Sequence, residues 1–218
     1  MSKPVGQLFN VPNQITCVRL ALSFVLFGLI ACEYYLTSLV FFILAAGTDF
    51  LDGYYARKFN QVTALGRILD PFADKIIICC TFIMLAATPG MLASPYGLKP
   101  WMVDVIVGRE LLVTALRSFL EERGSDFSAN LSGKLKMVVQ CVAVGSSMVY
   151  LHYPTTDGLQ LSASTAPHEV FVTMIVSIWA AVALTVYSGA VYVGIAWKLL
   201  LSDGASGDSN LESREPSP

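Results

Sequence analysis

Charge is scarce in this chain. Asp, Glu, Lys and Arg make up 14% of the 218 residues, against about 25% in soluble globular domains. Hydrophobic residues account for 55%. That balance excludes an ordinary soluble domain and points to an all-α integral membrane protein. The formal net charge of −2 selects no partner, and no nucleic acid is expected among the partners. Cysteine pairs at metal-ligand spacing are missing: Cys17, Cys32, Cys79, Cys80 and Cys141 all fall in apolar runs. They show neither a zinc pattern nor a secreted disulfide framework, and are expected as buried reduced thiols. No internal repeat is seen, and no stretch outside the apolar segments is long enough for a useful soluble domain. The first apolar run has no cleavage signature and reads as a first span.

What is present is a series of six apolar segments, each near the ~20 residues that cross a bilayer. They lie at about Ile15–Tyr35, Leu36–Ala56, Leu65–Ala87, Trp101–Leu120, Leu135–Tyr153 and Val170–Leu200. Ser2 to Pro12 is a short mixed segment suited to the membrane interface. Residues 1–201 thus form one six-span polytopic domain. The Ser/Gly/Asp/Glu-rich stretch 202–218 is expected as a disordered tail. Lys and Arg are absent from the loop after the first segment and from Pro154–Glu169, and only Lys99 follows the third. The other ends hold Lys3, Arg19, Arg57, Lys58, Arg67, Arg123, Lys134, Lys136 and Lys198. By the positive-inside rule both termini are cytoplasmic.

Within this apolar background Asp49 to Asp74 stands out: D-F-L-D-G-Y-Y-A-R, eight residues, then G-R-I-L-D-P-F-A-D. One aspartate at the centre of a membrane helix costs roughly 2.5–3.5 kcal/mol. Four must therefore face one another, a cation or a polar cavity. Residues three, four and seven apart share a helix face. Asp49, Asp52, Gly53 and Ala56 form one stripe, and Gly66, Asp70 and Asp74 a second on the next helix. Opposed, the stripes bring together four carboxylates whose repulsion calls for cations. A set without Cys or His suits hard ions such as Mg²⁺ or Mn²⁺. Four negative charges balance two divalent ions, the usual clamp for displacement at phosphorus. Gly53, Ala56 and Gly66 leave room on those faces for a ligand or close backbone approach. Thr63 is placed to cap the third helix, whose N-terminus would then offer N–H groups to phosphate. Pro71 is expected to kink that helix or to sit in its first turns.

Three other stretches carry chemistry. Asn13, Thr16 and Arg19 open the first span, either as an ordinary helix start with Asn13 capping and Arg19 snorkelling, or as contacts to nucleotide or substrate. Arg109, beside Glu110 and two turns before Arg117, lies deep in the fourth segment and needs an anion. That anion is either an acid on another helix or a phosphate; Glu110 is its neighbour in sequence, and adjacent helical residues do not face each other. Lys134 and Lys136 open the fifth span. Two residues apart, they point different ways on a regular helix, and Lys134 is the better placed to reach a substrate.

The signature D-x-x-D-G-x-x-A-R, eight residues, G-x-x-x-D-x-x-x-D resembles that of the CDP-alcohol phosphotransferases. All eight fixed positions are filled: Asp49, Asp52, Gly53, Ala56, Arg57, Gly66, Asp70 and Asp74. P-N-Q-I-T-x-x-R, G-R-E-x-x-V-x-x-L-R and G-K-x-K-x-x-x-Q, at Pro12–Arg19, Gly108–Arg117 and Gly133–Gln140, resemble the branch that uses glycerol 3-phosphate. The departure is Met137, where many members have a small hydroxyl residue. The resemblance covers five spans; the sixth and the tail carry no motif. It implies displacement of CMP from CDP-diacylglycerol. Asp49 and Asp70 would bridge two Mg²⁺ or Mn²⁺ ions, Asp52 and Asp74 would complete their shells, and Asp74 would be the general base. Asn13, Gly53, Arg57, Thr63 and Gly66 would hold the nucleotide. Thr16, Arg109, Arg117, Lys134 and Lys136 would hold the acceptor's phosphate. A homodimer in the cytoplasmic (inner) membrane, with its active site on the cytoplasmic side, is also implied. The competing readings are the same chemistry on another alcohol (serine, inositol phosphate, choline), a carboxylate-based cation transporter, and a non-catalytic lipid-binding protein.

Overall fold

The computed structural model describes the backbone of residues 11–59, 64–122, 131–153 and 166–212, and within them the side chains of 14, 16–48, 72–73, 75–118, 135–153 and 166–197. Among the described residues the chain forms seven helices and no strand. They are α1 (Val11–Ala31), α2 (Tyr35–Phe59), α3 (Ala64–Ala86), α4 (Pro89–Ala93), α5 (Pro100–Glu122), α6 (Leu131–His152) and α7 (His168–Glu212).

The six long helices follow the six apolar segments in order. The apolar windows of α6 (Leu135–His152) and α7 (His168–Trp197) are long enough to cross a membrane. Among the described side chains, α1, α2 and α3 are apolar over Thr16–Ala31, Tyr35–Thr48 and Lys75–Ala86.

The breaks between helices have local causes. Tyr34 N–H donates to Leu29 C=O at 2.9 Å and Glu33 N–H to Ile30 C=O at 3.0 Å, the paired bonds of a Schellman turn. Glu33 takes its left-handed position with φ 64°. After α3, Pro89 opens the five-residue α4, which the apolar pattern does not reveal because it is too short for a period. Lys99 Nζ donates to Ser94 C=O at 2.7 Å and Leu98 N–H to Met91 Sδ at 3.4 Å, folding the chain back. A Cβ at Gly97 would lie 2.6 Å from the Met91 carbonyl oxygen, so this bend requires glycine.

A single apolar core joins the helices. It includes Leu26 and Ile30 of α1, Phe42 of α2, Phe82 and Leu85 of α3, Ile106 of α5, Met148 of α6 and Ile178 of α7. α1 packs on α2 and α3, α6 bridges α2 to α7, and α5 lies between α3 and α7. The outer surface is also apolar: Phe24, Ile43, Ile83, Leu111, Val138, Val176 and Trp197 are all exposed. Apolar side chains outside and charged ones inside suit a lipid surround rather than water.

Several expectations change. Arg19 is 1% exposed and lies inside the bundle instead of snorkelling, because Thr16, Arg19 and Ser23 share the inward face of α1. α1 begins at Val11, so Asn13 is in its first turn rather than capping it. Pro71 keeps its expected place inside α3. Of the five thiols, all free, Cys79 is buried while Cys17 and Cys32 are exposed on the apolar exterior. Helical backbone continues to Glu212, through residues read above as the start of a disordered tail; a helix already nucleated extends at little cost.

Candidate active site

α2 carries Asp49 and Asp52 at i, i+3, and α3 carries Asp70 and Asp74 at i, i+4. The two helices pack against each other. The side chains of these four aspartates lie outside the described residues, as do those of Asn13, Arg57 and Lys134. Gly53 and Gly66 fall in the same stretches, and Thr63 is outside the described backbone. Among the described residues no cluster of three or more His, Cys, Asp or Glu could hold a metal. The all-carboxylate donor set of the four aspartates, on two helices with helical spacing, fits a hard cation.

The basic residues form a second centre, built around Glu110. Its side chain is 9% exposed and receives three cations from three helices. Lys75 Nζ of α3 stands 3.5 Å from Oε2, Arg109 Nη1 of α5 lies 3.3 Å from Oε1, and Lys136 Nζ of α6 donates to Oε1. The expectation that neighbours on a helix do not face each other fails for Arg109 and Glu110. Both side chains are long enough to curl to a common point inside the bundle, where each is 9% exposed. Thr114 Oγ1 donates back to the Glu110 carbonyl at 2.6 Å, closing the helix face beneath.

α7 supplies the other wall. Arg109 Nη2 donates to Ser188 Oγ, and the Arg109 guanidinium carbon lies 5.8 Å from the centroid of the Tyr192 ring. Arg117 Nη2 donates to Tyr192 Oη at 3.4 Å. The Nε of Arg109 and the Nε of Arg117 are buried without a hydrogen-bond partner among the described residues. Buried donors of this kind are costly unless something accepts from them, and a phosphate would. Gln140 Nε2, one turn beyond Lys136, is in the same condition.

Of the residues predicted for the acceptor, Arg109, Arg117 and Lys136 thus fall in one buried region, with Arg109 and Lys136 joined by a single carboxylate. Thr16 is buried in α1, on the side of α2 and α3. Lys136 is seen inside, 6% exposed at its side chain; the favoured Lys134 lies outside the described side chains. Sequence reasoning missed Glu110 as the hub, Lys75, Ser188 and Tyr192. Lys75 had a signal, a cation directly after Asp74 on the apolar α3. Ser188 and Tyr192 had only their i, i+4 spacing in a greasy helix.

Comparison with known proteins agrees with the motifs. The CDP-alcohol phosphatidyltransferase family matches residues 9–187. A Bacillus subtilis protein named CDP-diacylglycerol–glycerol-3-phosphate 3-phosphatidyltransferase is 36% identical over 215 residues, covering 88% of this chain and 98% of the relative. Proteins of the same name from Rickettsia bellii (34% over 157 residues, 65% of this chain and 81% of the relative) and, as form 2, from Arabidopsis thaliana (32% over 164 residues, 73% and 66%) are also similar.

Proposed function

Because this chain belongs to the CDP-alcohol phosphatidyltransferase family, we propose that it transfers the phosphatidyl group of CDP-diacylglycerol to sn-glycerol 3-phosphate, giving phosphatidylglycerophosphate and CMP. The observation that carries the choice of acceptor is the gathering of Lys75, Arg109 and Lys136 around the Glu110 carboxylate, with Arg117 held nearby by Tyr192. Among the described residues the buried Nε of Arg109 and that of Arg117 have no acceptor, and both suit a phosphate dianion. Serine or choline would leave those donors unmatched.

Asp74 takes the proton from the primary hydroxyl of glycerol 3-phosphate. The hydroxyl oxygen forms a bond to the lipid-bearing phosphorus while the bond from that phosphorus to the CMP oxygen breaks. Asp49, Asp52, Asp70 and Asp74 would hold two Mg²⁺ or Mn²⁺ ions, which when bound neutralise the diphosphate and the charge on the leaving group. Asn13, Gly53, Arg57, Thr63 and Gly66 hold the cytidine diphosphate. Thr16, Arg109, Arg117 and Lys136, with Lys134 at the start of α6, hold the acceptor phosphate and fix its hydroxyl towards Asp74. Positioning of this kind is a large part of catalysis when little covalent chemistry falls to the protein. The acyl chains remain in the bilayer.

The protein spans the cytoplasmic membrane six times, with both termini and the aspartates at the cytoplasmic side. Lys/Arg asymmetry and the apolar exterior support this. A homodimer is the assembly carried over from the family resemblance.

The test is a product assay with purified protein, CDP-diacylglycerol and a panel of acceptors. Glycerol 3-phosphate should release CMP far faster than serine, inositol phosphate or glycerol, and chelation should stop the reaction until Mg²⁺ or Mn²⁺ is restored. A preference for a phosphate-free alcohol would refute the acceptor, and full activity after exhaustive chelation would refute the metal reading.

A further inference from the structure

The family match ends at residue 187, and α7 carries no motif. Yet the next turn of α7 is where two arginines come to rest. Ser188 Oγ accepts from Arg109 Nη2, the Tyr192 ring lies 5.8 Å from the Arg109 guanidinium carbon, and Tyr192 Oη accepts from Arg117 Nη2 at 3.4 Å. Ser188 and Tyr192 are four apart, so they lie on one face of the helix. They are 2% and 4% exposed. Between them, a Cβ on Gly189 would stand 3.1 Å from Arg109 Cγ. Glycine at this position lets the backbone of α7 lie against the arginine's stem.

We propose that Ser188, Gly189 and Tyr192 form a seat that sets Arg109 and Arg117 in position for the acceptor's phosphate, and so help determine the preference for a phosphorylated acceptor. This rests on the acceptor reading given above. The three are positioning residues; they act through the arginines. A guanidinium side chain loses rotamer entropy when it is fixed, and ordering it before the ligand arrives removes that cost from binding. The seat does this with few donors. The ring face holds the guanidinium of Arg109 without consuming an N–H, and each hydroxyl takes one Nη donor. The Nε of each arginine stays buried and without an acceptor among the described residues. Nε with an adjacent Nη is the fork that grips a phosphate through two parallel bonds.

The experiment compares wild-type protein with Tyr192→Phe, Tyr192→Leu, Ser188→Ala, Ser188→Thr and Gly189→Ala, measuring KM for each substrate, kcat and Tm. Tyr192→Leu loses ring and hydroxyl and should raise KM for glycerol 3-phosphate roughly tenfold. Tyr192→Phe loses only the hydroxyl and should raise it about threefold. Gly189→Ala, which crowds Arg109, and Ser188→Ala should move it the same way, and Ser188→Thr should restore it. KM for CDP-diacylglycerol should stay within about twofold throughout, a split that lost packing alone would not produce. If Tyr192→Leu fails to accumulate, the isosteric Tyr192→Phe and the Ser188 pair decide the matter. Equal changes in both KM values, or a lower Tm with neither KM altered, would overturn the seat. If the wild-type protein uses glycerol 3-phosphate and the variants keep its KM, this inference fails alone. If the wild-type protein prefers an alcohol without phosphate, the acceptor reading fails and takes this inference with it.

Discussion

Replacing Glu110 with Gln would leave Arg109 and Lys136 buried beside each other with their shared counter-charge removed. Breaking a buried ion pair from one side typically costs 3–5 kcal/mol. For a chain of 218 residues, 1 kcal/mol moves Tm by about 2–4 °C, so Glu110→Gln should melt some 10 °C lower by a fluorescence or calorimetric scan in detergent. An unchanged Tm would show the three cations to be solvated despite their burial. At this scale the sequence was informative about which residue types were out of place, and less so about what they touch. Four aspartates and an arginine in apolar helices announce themselves by their cost alone. Glu110 was legible as a neighbour of Arg109 but not as the meeting point of α3, α5 and α6. Its partners lie 35 residues before and 26 after it, and no period along one helix carries that information.

The turn between α1 and α2 holds the clearest strain in an element. Glu33 sits at φ 64°, a conformation that costs an L-residue roughly 1–2 kcal/mol and glycine almost nothing. Glycine also gains freedom in the unfolded chain. The net effect of Glu33→Gly should be stabilising by about 0.5–1 kcal/mol, seen as a Tm higher by roughly 2 °C with activity retained. A fall in Tm would mean that the Glu33 side chain contributes more than its backbone loses. The long helices themselves were readable, since 20-residue apolar runs leave few alternatives. Their ends were not. α4 is a single turn shaped by Pro89, Gly97 and the Lys99 carbonyl contacts, and local bends of that sort have no hydrophobic period. The reach of α7 to Glu212 was hidden for the opposite reason: Ser, Gly and Asp weigh against helix by composition, whereas growth from an existing helix needs no new nucleus.

For the molecule as a whole, the six-span proposal places both ends of the chain on one side and the Lys/Arg-poor loops on the other. Single-cysteine variants at Thr156 and Ser206, made in a background without the five native thiols, test it with an impermeant maleimide. Ser206 should be labelled only after the membrane is opened, Thr156 in intact cells, and labelling of both from one side would reverse or break the topology. The charge balance inside the bundle has a consequence of a different kind. Among the described side chains, Glu110 stands against Lys75, Arg109 and Lys136 with Arg117 nearby, a concentration of positive charge in which the buried Nε of each arginine has no acceptor. An anion that enters supplies one, and any ligand that binds the folded state alone shifts the folding equilibrium, by about 2.7 kcal/mol at a concentration 100 times its Kd. Under the proposed acceptor reading, glycerol 3-phosphate stabilises the fold as well as reacting. Glycerol 3-phosphate, and more weakly inorganic phosphate, should raise the melting temperature with no nucleotide lipid present, whereas glycerol at equal concentration should not. Buffer choice during purification would decide how much of the protein survives to be assayed.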